Sequence, residues 1–180
     1  MNFRNATAAD IDAIVVLVES AYRGDSSRQG WTTEADLLDG QRTNTADVAR
    51  VIAHQHSRVL LLTRSSGELC ACAHIERQNE VCYFGMFSVN PAEQGGGIGR
   101  MMLAEAERIA RDEWQCREMQ MTVISIRDEL IAWYQRRGYQ RTGRFKPFPY
   151  DDARFGLPKR DDLRFEILSK QLFAIWNSTV

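Results

Sequence analysis

Val89-Asn90-Pro91-Ala92-Glu93-Gln94-Gly95-Gly96-Gly97-Ile98-Gly99-Arg100 decides the fold of this chain. The apolar, β-branched and aromatic run Val81 to Val89 precedes it, and the amphipathic stretch Met101 to Arg111 follows it. The order is therefore strand, glycine turn, helix start. The first-turn N–H groups of a helix have no intrahelical acceptor, the helix dipole favours negative charge there, and glycine admits a phosphate close to the backbone. The stretch reads as an anion cradle.

Spacing narrows its type. A Walker A loop ends in Gly-Lys-Ser/Thr, whereas Gly99 is followed by Arg100 and Met101. The dinucleotide fingerprint needs a third glycine where this chain has Met102. What remains is Gln-x-x-Gly-x-Gly, Gln94 to Gly99, which is similar to the pyrophosphate-binding motif of the GNAT superfamily of N-acetyltransferases.

Working outward, Phe3 to Asn5 reads as a first strand, and Thr7-Ala8-Ala9-Asp10 as a capping-box variant opening a helix to about Tyr22. Arg23 to Trp31 reads as a polar loop, Glu34 to Leu38 as a short helix capped by Thr33, and Thr45 to His56 as a third helix. Val59 to Thr63, Leu69 to Arg77 and Val81 to Val89 form an antiparallel three-strand meander. After the cradle helix comes a strand, Glu118 to Ser125, joined by a parallel crossover. Asp128 to Arg137 is helical, with Gly138 as a left-handed cap. Tyr139 to Arg144 and Leu163 to Leu168 are the last strands.

This order resembles the GNAT fold from about residue 3 to 170. The run Trp133-Tyr134-Gln135-Arg136-Arg137-Gly138-Tyr139 looks like the family's Leu-Tyr-x-x-x-Gly-Phe helix ending. The resemblance implies an α+β fold, residues 1–180 as a single domain. Its sheet is mixed and mostly antiparallel, of six to seven strands, with helices on both faces. The fourth and fifth strands form a splayed parallel pair at the acetyl-CoA site.

The chain has 180 residues, 44% hydrophobic and 26% charged, enough for one core. A net charge of -1 argues against nucleic-acid binding, and no apolar run approaches the ~20 residues that span a bilayer. The polar Asn-Phe-Arg-Asn start does not read as a signal peptide, which points to the cytoplasm. Four cysteines lack a second Cys/His pair at zinc-ligand spacing, so buried free thiols are expected and no metal. Cys70 and Cys72 are expected on one strand face.

The resemblance also implies the site. Acetyl-CoA is the co-substrate, its pyrophosphate on backbone N–H groups of Gln94, Gly95, Gly96, Gly97, Ile98, Gly99 and Arg100. Its pantetheine arm lies along Phe87, Ser88 and Val89. Tyr134 is the general acid that protonates the departing thiolate. An alkyl amine with pKa near 10.4 loses its proton at pH 7 at a cost of roughly 4.6 kcal/mol, so a base or water relay is expected. His74 and Glu76, alternating onto one face of a strand, are its candidates, and Glu34 is another. Asp25, Trp31, Glu34 and Arg127 are expected on the acceptor side. Arg127 stands where the family often has asparagine, and it either meets an anionic part of the substrate, binds a CoA phosphate or faces solvent. The expected activity is acetyl transfer to a primary amine, of a small molecule or peptide, by direct attack. The alternative is a weakly catalytic acyl-CoA sensor or complex subunit, and a homodimer is possible.

Overall fold

The computed structural model describes residues 1–173, so the last seven residues of the expected single domain lie outside the described part. Seven strands form one sheet: β1 (Asn2–Asn5), β2 (Ser57–Thr63), β3 (Leu69–Gln78), β4 (Val81–Val89), β5 (Glu118–Ile124), β6 (Gln140–Pro147) and β7 (Arg164–Gln171). They run in the order β1-β2-β3-β4-β5-β7-β6. All pairs are antiparallel except β4 with β5.

Helices cover both faces because the central strands are apolar on both. In β2, Leu60 and Leu62 enter the core beneath α3 (Ile98–Arg108) and α4 (Asp128–Gln135). The alternating Val59 and Leu61 pack under α1 (Ile11–Tyr22) and α2 (Thr45–Ala53). Two-residue side-chain alternation thus serves two cores.

The chain start follows its local signals. The Asp10 carboxylate accepts the Thr7 N–H at 2.8 Å and pairs with Arg4 at 2.6 Å, closing the capping box before α1. The cradle helix begins at Ile98, three residues before the amphipathic stretch, because Gly97 takes a left-handed N-cap (φ 89°). One wide turn, Ile109–Glu113, ends it.

Two local expectations are corrected. Residues 34 to 38 make one turn, not a helix: Leu37 and Leu38 N–H both donate to the Glu34 carbonyl at 2.9 Å. Thr33 Oγ1 accepts from Ala35 N–H, and Leu38–Asp39 then pairs with Leu157–Pro158. Pairing with that distant loop outweighs local helix propensity. The polar loop after α1 also winds into one helical turn, Gly24–Ser27.

Cys70 and Cys72 do not share a face. The β2–β3 register slips between Leu62↔Ala71 and Thr63↔Leu69, which leaves Cys70 as an extra residue. A bulge of this kind turns side chains over. Cys70 therefore joins the α3 core, and Cys72 the α1 core.

Candidate active site

The site begins where β4 and β5 part. They pair only from Val81↔Glu118 to Tyr83↔Gln120. Beyond Tyr83, β5 stays with β7 and β4 stays with β3, so the upper half of β4 has no neighbour on one side. A second slip sharpens the divergence. His74 faces Gly85 and Cys72 faces Ser88, so Met86 and Phe87 together oppose Ala73, with Met86 at φ 46°. The bulge twists the strand at the opening.

A cleft of about 270 Å³ occupies the gap. Phe87 and Val89 of β4 line it, with Gln94, Gly95, Gly97, Gly99 and Arg100 from the turn and α3, and Trp133, Tyr134 and Arg137 from α4 and its end. The turn is open where a ligand would rest: a side chain built on Gly95 or Gly97 would meet no atom within 4 Å, although positive φ excludes one. On Gly99 a β-carbon would come within 3.3 Å of the Phe87 ring and 3.5 Å of Trp133. These residues fit a slender arm ending in a phosphate at a helix start. Arg100 and Arg137 add positive charge. The Arg137 guanidinium lies 3.4 Å over the Trp133 ring, and its Nε is buried without an acceptor among the described residues. Burial, then Arg136 and Arg100, lower its proton affinity, a repulsion that an anion would relieve.

Tyr134 is held by the way its helix ends. Tyr139 N–H donates to the Tyr134 carbonyl at 3.2 Å and Gly138 N–H to the Gln135 carbonyl at 3.0 Å, with Gly138 at φ 89°. This is the Schellman arrangement, in which the residues at the two ends of the long bond also touch. Here they are Tyr134 and Tyr139, edge to face at 5.7 Å. The Tyr-x-x-x-Gly-aromatic spacing is thus a helix stop that sets a phenol at the cleft wall. The Tyr134 hydroxyl makes no hydrogen bond among the described residues, and burial pushes its pKa up, with Arg127 and Arg137 opposing. It stays protonated at neutral pH.

Gln94 ties the turn to the loop after α1. Its side chain accepts from Trp31 N–H at 3.0 Å and donates to Thr32 Oγ1 and to the Val89 carbonyl. Trp31 extends the aromatic wall, 6.3 Å from Trp133. Tyr22 donates its hydroxyl to the Phe87 carbonyl, so one acceptor on the free edge of β4 is already taken.

Of the expected coenzyme contacts, Ser88, Gly96 and Ile98 do not line the cleft. Ser88 is buried opposite Cys72, and Ile98 belongs to the α3 core. Of the acceptor-side residues, Trp31 lines it, while Asp25 is fully exposed beside Arg28. Glu34 and Arg127 meet each other. Glu34 lies 2.8 Å from Arg127, 2.7 Å from Arg23 and 3.9 Å from Arg42, and Arg127 also donates to the Thr32 carbonyl. Burial works to raise the Glu34 pKa, but the arginines outweigh it and hold it below the carboxylate range. Such a group is poorly suited to take a proton at neutral pH. Arg127, its side chain almost wholly buried, does not face solvent.

His74 and Glu76 lie beside the still-paired part of β4, away from the cleft lining. His74 bonds Ser57 Oγ at 2.8 Å, stands 3.9 Å from Glu76 and meets the Tyr83 ring edge-on. Burial lowers its pKa, against Glu76, so it is neutral. Sequence reasoning missed Tyr22, Thr32, Leu130, Trp133 and Arg137 as lining residues. Of these, Trp133 and Arg137 lay inside the recognised helix-end motif, and Tyr22 carried no local signal.

Among the described residues no helix is long and apolar enough to cross a membrane, and no three His, Cys, Asp or Glu residues cluster as metal ligands would.

Many solved structures share the fold. Ribosomal-protein-S18-alanine N-acetyltransferase from Escherichia coli is 13% identical with TM-score 0.71, covering 99% of this chain and 98% of its own. Ribosomal-protein-alanine N-acetyltransferase from Brucella melitensis is 17% identical with TM-score 0.68, covering 95% and 99%. A mutant spermidine N-acetyltransferase from Vibrio cholerae is 11% identical with TM-score 0.67, covering 96% and 95%. No curated protein matches the chain by sequence. The sequence profile of the acetyltransferase (GNAT) family matches residues 16–139, well over half of the chain, and the chain belongs to that family.

Proposed function

We propose that this protein is a cytoplasmic enzyme that transfers the acetyl group of acetyl-CoA to a primary amine by direct attack. The observation that carries the reading is the cleft between β4 and β5, which joins a glycine-lined helix start to an unbonded Tyr134 hydroxyl. In this reading the N–H groups at the start of α3, with Arg100 and Arg137, hold the diphosphate. The free edge of β4 pairs with the pantetheine arm. A backbone N–H near Val89 stabilises the oxyanion that develops as the amine attacks, a contribution of a few kcal/mol. The new C–N bond forms as the C–S bond breaks, and Tyr134 gives its proton to the leaving thiolate. The raised pKa keeps the phenol protonated and ready at neutral pH. Because a thiol of pKa about 8.5 is the stronger acid, the transfer itself runs uphill and is completed when solvent reprotonates Tyr134.

The amine must also shed a proton. We assign that route to the face carrying Tyr83 and His74, with Glu76 behind, through water. Burial lowers the proton affinity of His74 and Ser57 holds its Nε2, so its part in this route is to orient water rather than to keep the proton. Solved structures of this fold are named for an alanine of a ribosomal protein and for spermidine, so the scaffold suits both small and macromolecular acceptors.

The test is Tyr134→Phe. Turnover, read as free-thiol release from acetyl-CoA with an amine panel, should fall about 10²-fold or more, the usual contribution of a positioned acid. The Kd for CoA should change less than about twofold. Unchanged turnover would remove Tyr134 from the reaction, and no thiol release with any amine would overturn transferase activity.

A further inference from the structure

An arginine cluster lies behind the Tyr22 and Thr32 walls of the cleft, with Arg42 over the Tyr22 ring and Arg127 on the Thr32 carbonyl. Arg23, Arg42 and Arg127 converge on the one buried carboxylate of Glu34. Glu19 is the other acid nearby, and its Oε1 is occupied by the backbone N–H groups of Arg42 and Thr43 at 2.6 and 2.8 Å. Three guanidiniums thus share little more than one carboxylate. Arg23 is nine-tenths buried, yet its Nε and Nη2 have no acceptor among the described residues. The Arg42 side chain makes no hydrogen bond among the described residues, and its closest carboxylate is Glu34 at 3.9 Å. Leaving cationic donors unmatched in a site of this kind is costly unless an anion completes it.

Arg42 is also the best placed of the three. Its guanidinium lies 5.4 Å from the centre of the Tyr22 ring and remains one-third open to solvent. The hydroxyl at the far end of that ring bonds the Phe87 carbonyl on the free edge of β4. One tyrosine therefore spans the distance between the reacting end of the cleft and a solvent-accessible cation with no direct hydrogen bond among the described residues. The cleft lining offers no carboxylate to a second ammonium.

We infer that the acceptor is a small amine carrying a carboxylate, of the amino-acid class, and that Arg42 receives the carboxylate while the amine faces the thioester. The inference rests on the transferase reading and adds the class of substrate to it. A polyamine is disfavoured, because its second charge would meet guanidinium.

The experiment compares amino acids with their decarboxylated amines and with spermidine, each assayed for thiol release from acetyl-CoA. The amino acid of at least one pair should show kcat/KM about tenfold or more above its decarboxylated partner, in keeping with a charge-assisted contact. Arg42→Gln should raise KM for that amino acid about tenfold and for the partner less than threefold. Arg42→Lys, which keeps the charge, should recover part of the loss, and a thermal melt followed by circular dichroism serves as the control for folding. Preference for spermidine, or equal losses on both members of a pair, would overturn the inference and leave acetyl transfer standing. A rise in the Kd for CoA with Arg42→Gln would reassign Arg42 to the coenzyme. Absence of thiol release with every amine refutes the transferase reading itself, and the substrate class with it.

Discussion

Replacing Glu34 by glutamine keeps its shape and removes only its charge. Two guanidiniums, on Arg23 at 2.7 Å and Arg127 at 2.8 Å, would then lose their counter-ion inside a site where both arginine side chains are at most one-tenth exposed. Arg42, more distant and one-third exposed, adds little after solvent screening. Removing one partner of such a buried pair costs about 3–5 kcal/mol. For a chain of this size each kcal/mol lowers Tm by about 2–4 °C, so Glu34→Gln should melt about 10 °C lower.

The pH dependence has a defined sign. The folded-state pKa of Glu34 lies below its ordinary value of 4.5, so its stabilisation is complete above pH 4.5 and fades as pH falls through the folded pKa. The gap between wild type and variant should be constant near neutrality and close in acid. Thermal melts followed by circular dichroism, paired with urea titrations at pH 7 and pH 4, measure this directly. A Tm loss under about 2 °C at pH 7 would refute the view of Glu34 as the counter-ion of the arginine cluster. Loss of the acid limb from the pH–rate profile, with stability intact, would restore it as a base.

Gly138→Ala forces a side chain into the left-handed cap at φ 89°, and should cost about 1–2 kcal/mol while lowering kcat through displacement of Tyr134; melting and steady-state kinetics together check it. Gly99→Val would push a branched side chain into the Phe87 and Trp133 rings, and calorimetry should show CoA affinity falling at least tenfold, about 1.4 kcal/mol. Arg137→Gln removes a cation stacked on Trp133. It should weaken CoA several-fold, and the remaining binding should be less sensitive to added salt.

Periodicity and punctuation reveal most of the framework. The meander from Val59 to Val89, the glycine turn and the Trp133 to Tyr139 ending each carry local signals, and each lies where those signals put it. Glycine supplied the left-handed caps at positions 97 and 138 that no other residue takes as cheaply. What stayed hidden depends on register or on distance. The slips at Cys70 and Met86 leave no trace in a two-residue alternation, yet they turn one cysteine over and shape the strand at the cleft. The Glu34–Arg127 contact joins residues 93 positions apart, so nothing local to Glu34 distinguishes a base from a counter-ion. Tyr22 reads as the last apolar residue of a helix, and only the packing of α1 on β4 shows its hydroxyl reaching a strand carbonyl.

The parting of β4 from β5 also bears on solubility. Unpaired strand edges invite other chains to add themselves, and proteins usually shield them at the rim of a sheet. Here an unpaired edge lies in the interior of the sheet order, hemmed in by α3, α4 and the Trp31 loop. Tyr22 and Gln94 already bond the Phe87 and Val89 carbonyls there, so few acceptors are left for a foreign strand. The opening is thus guarded from strand-to-strand polymerisation by the side chains that wall it.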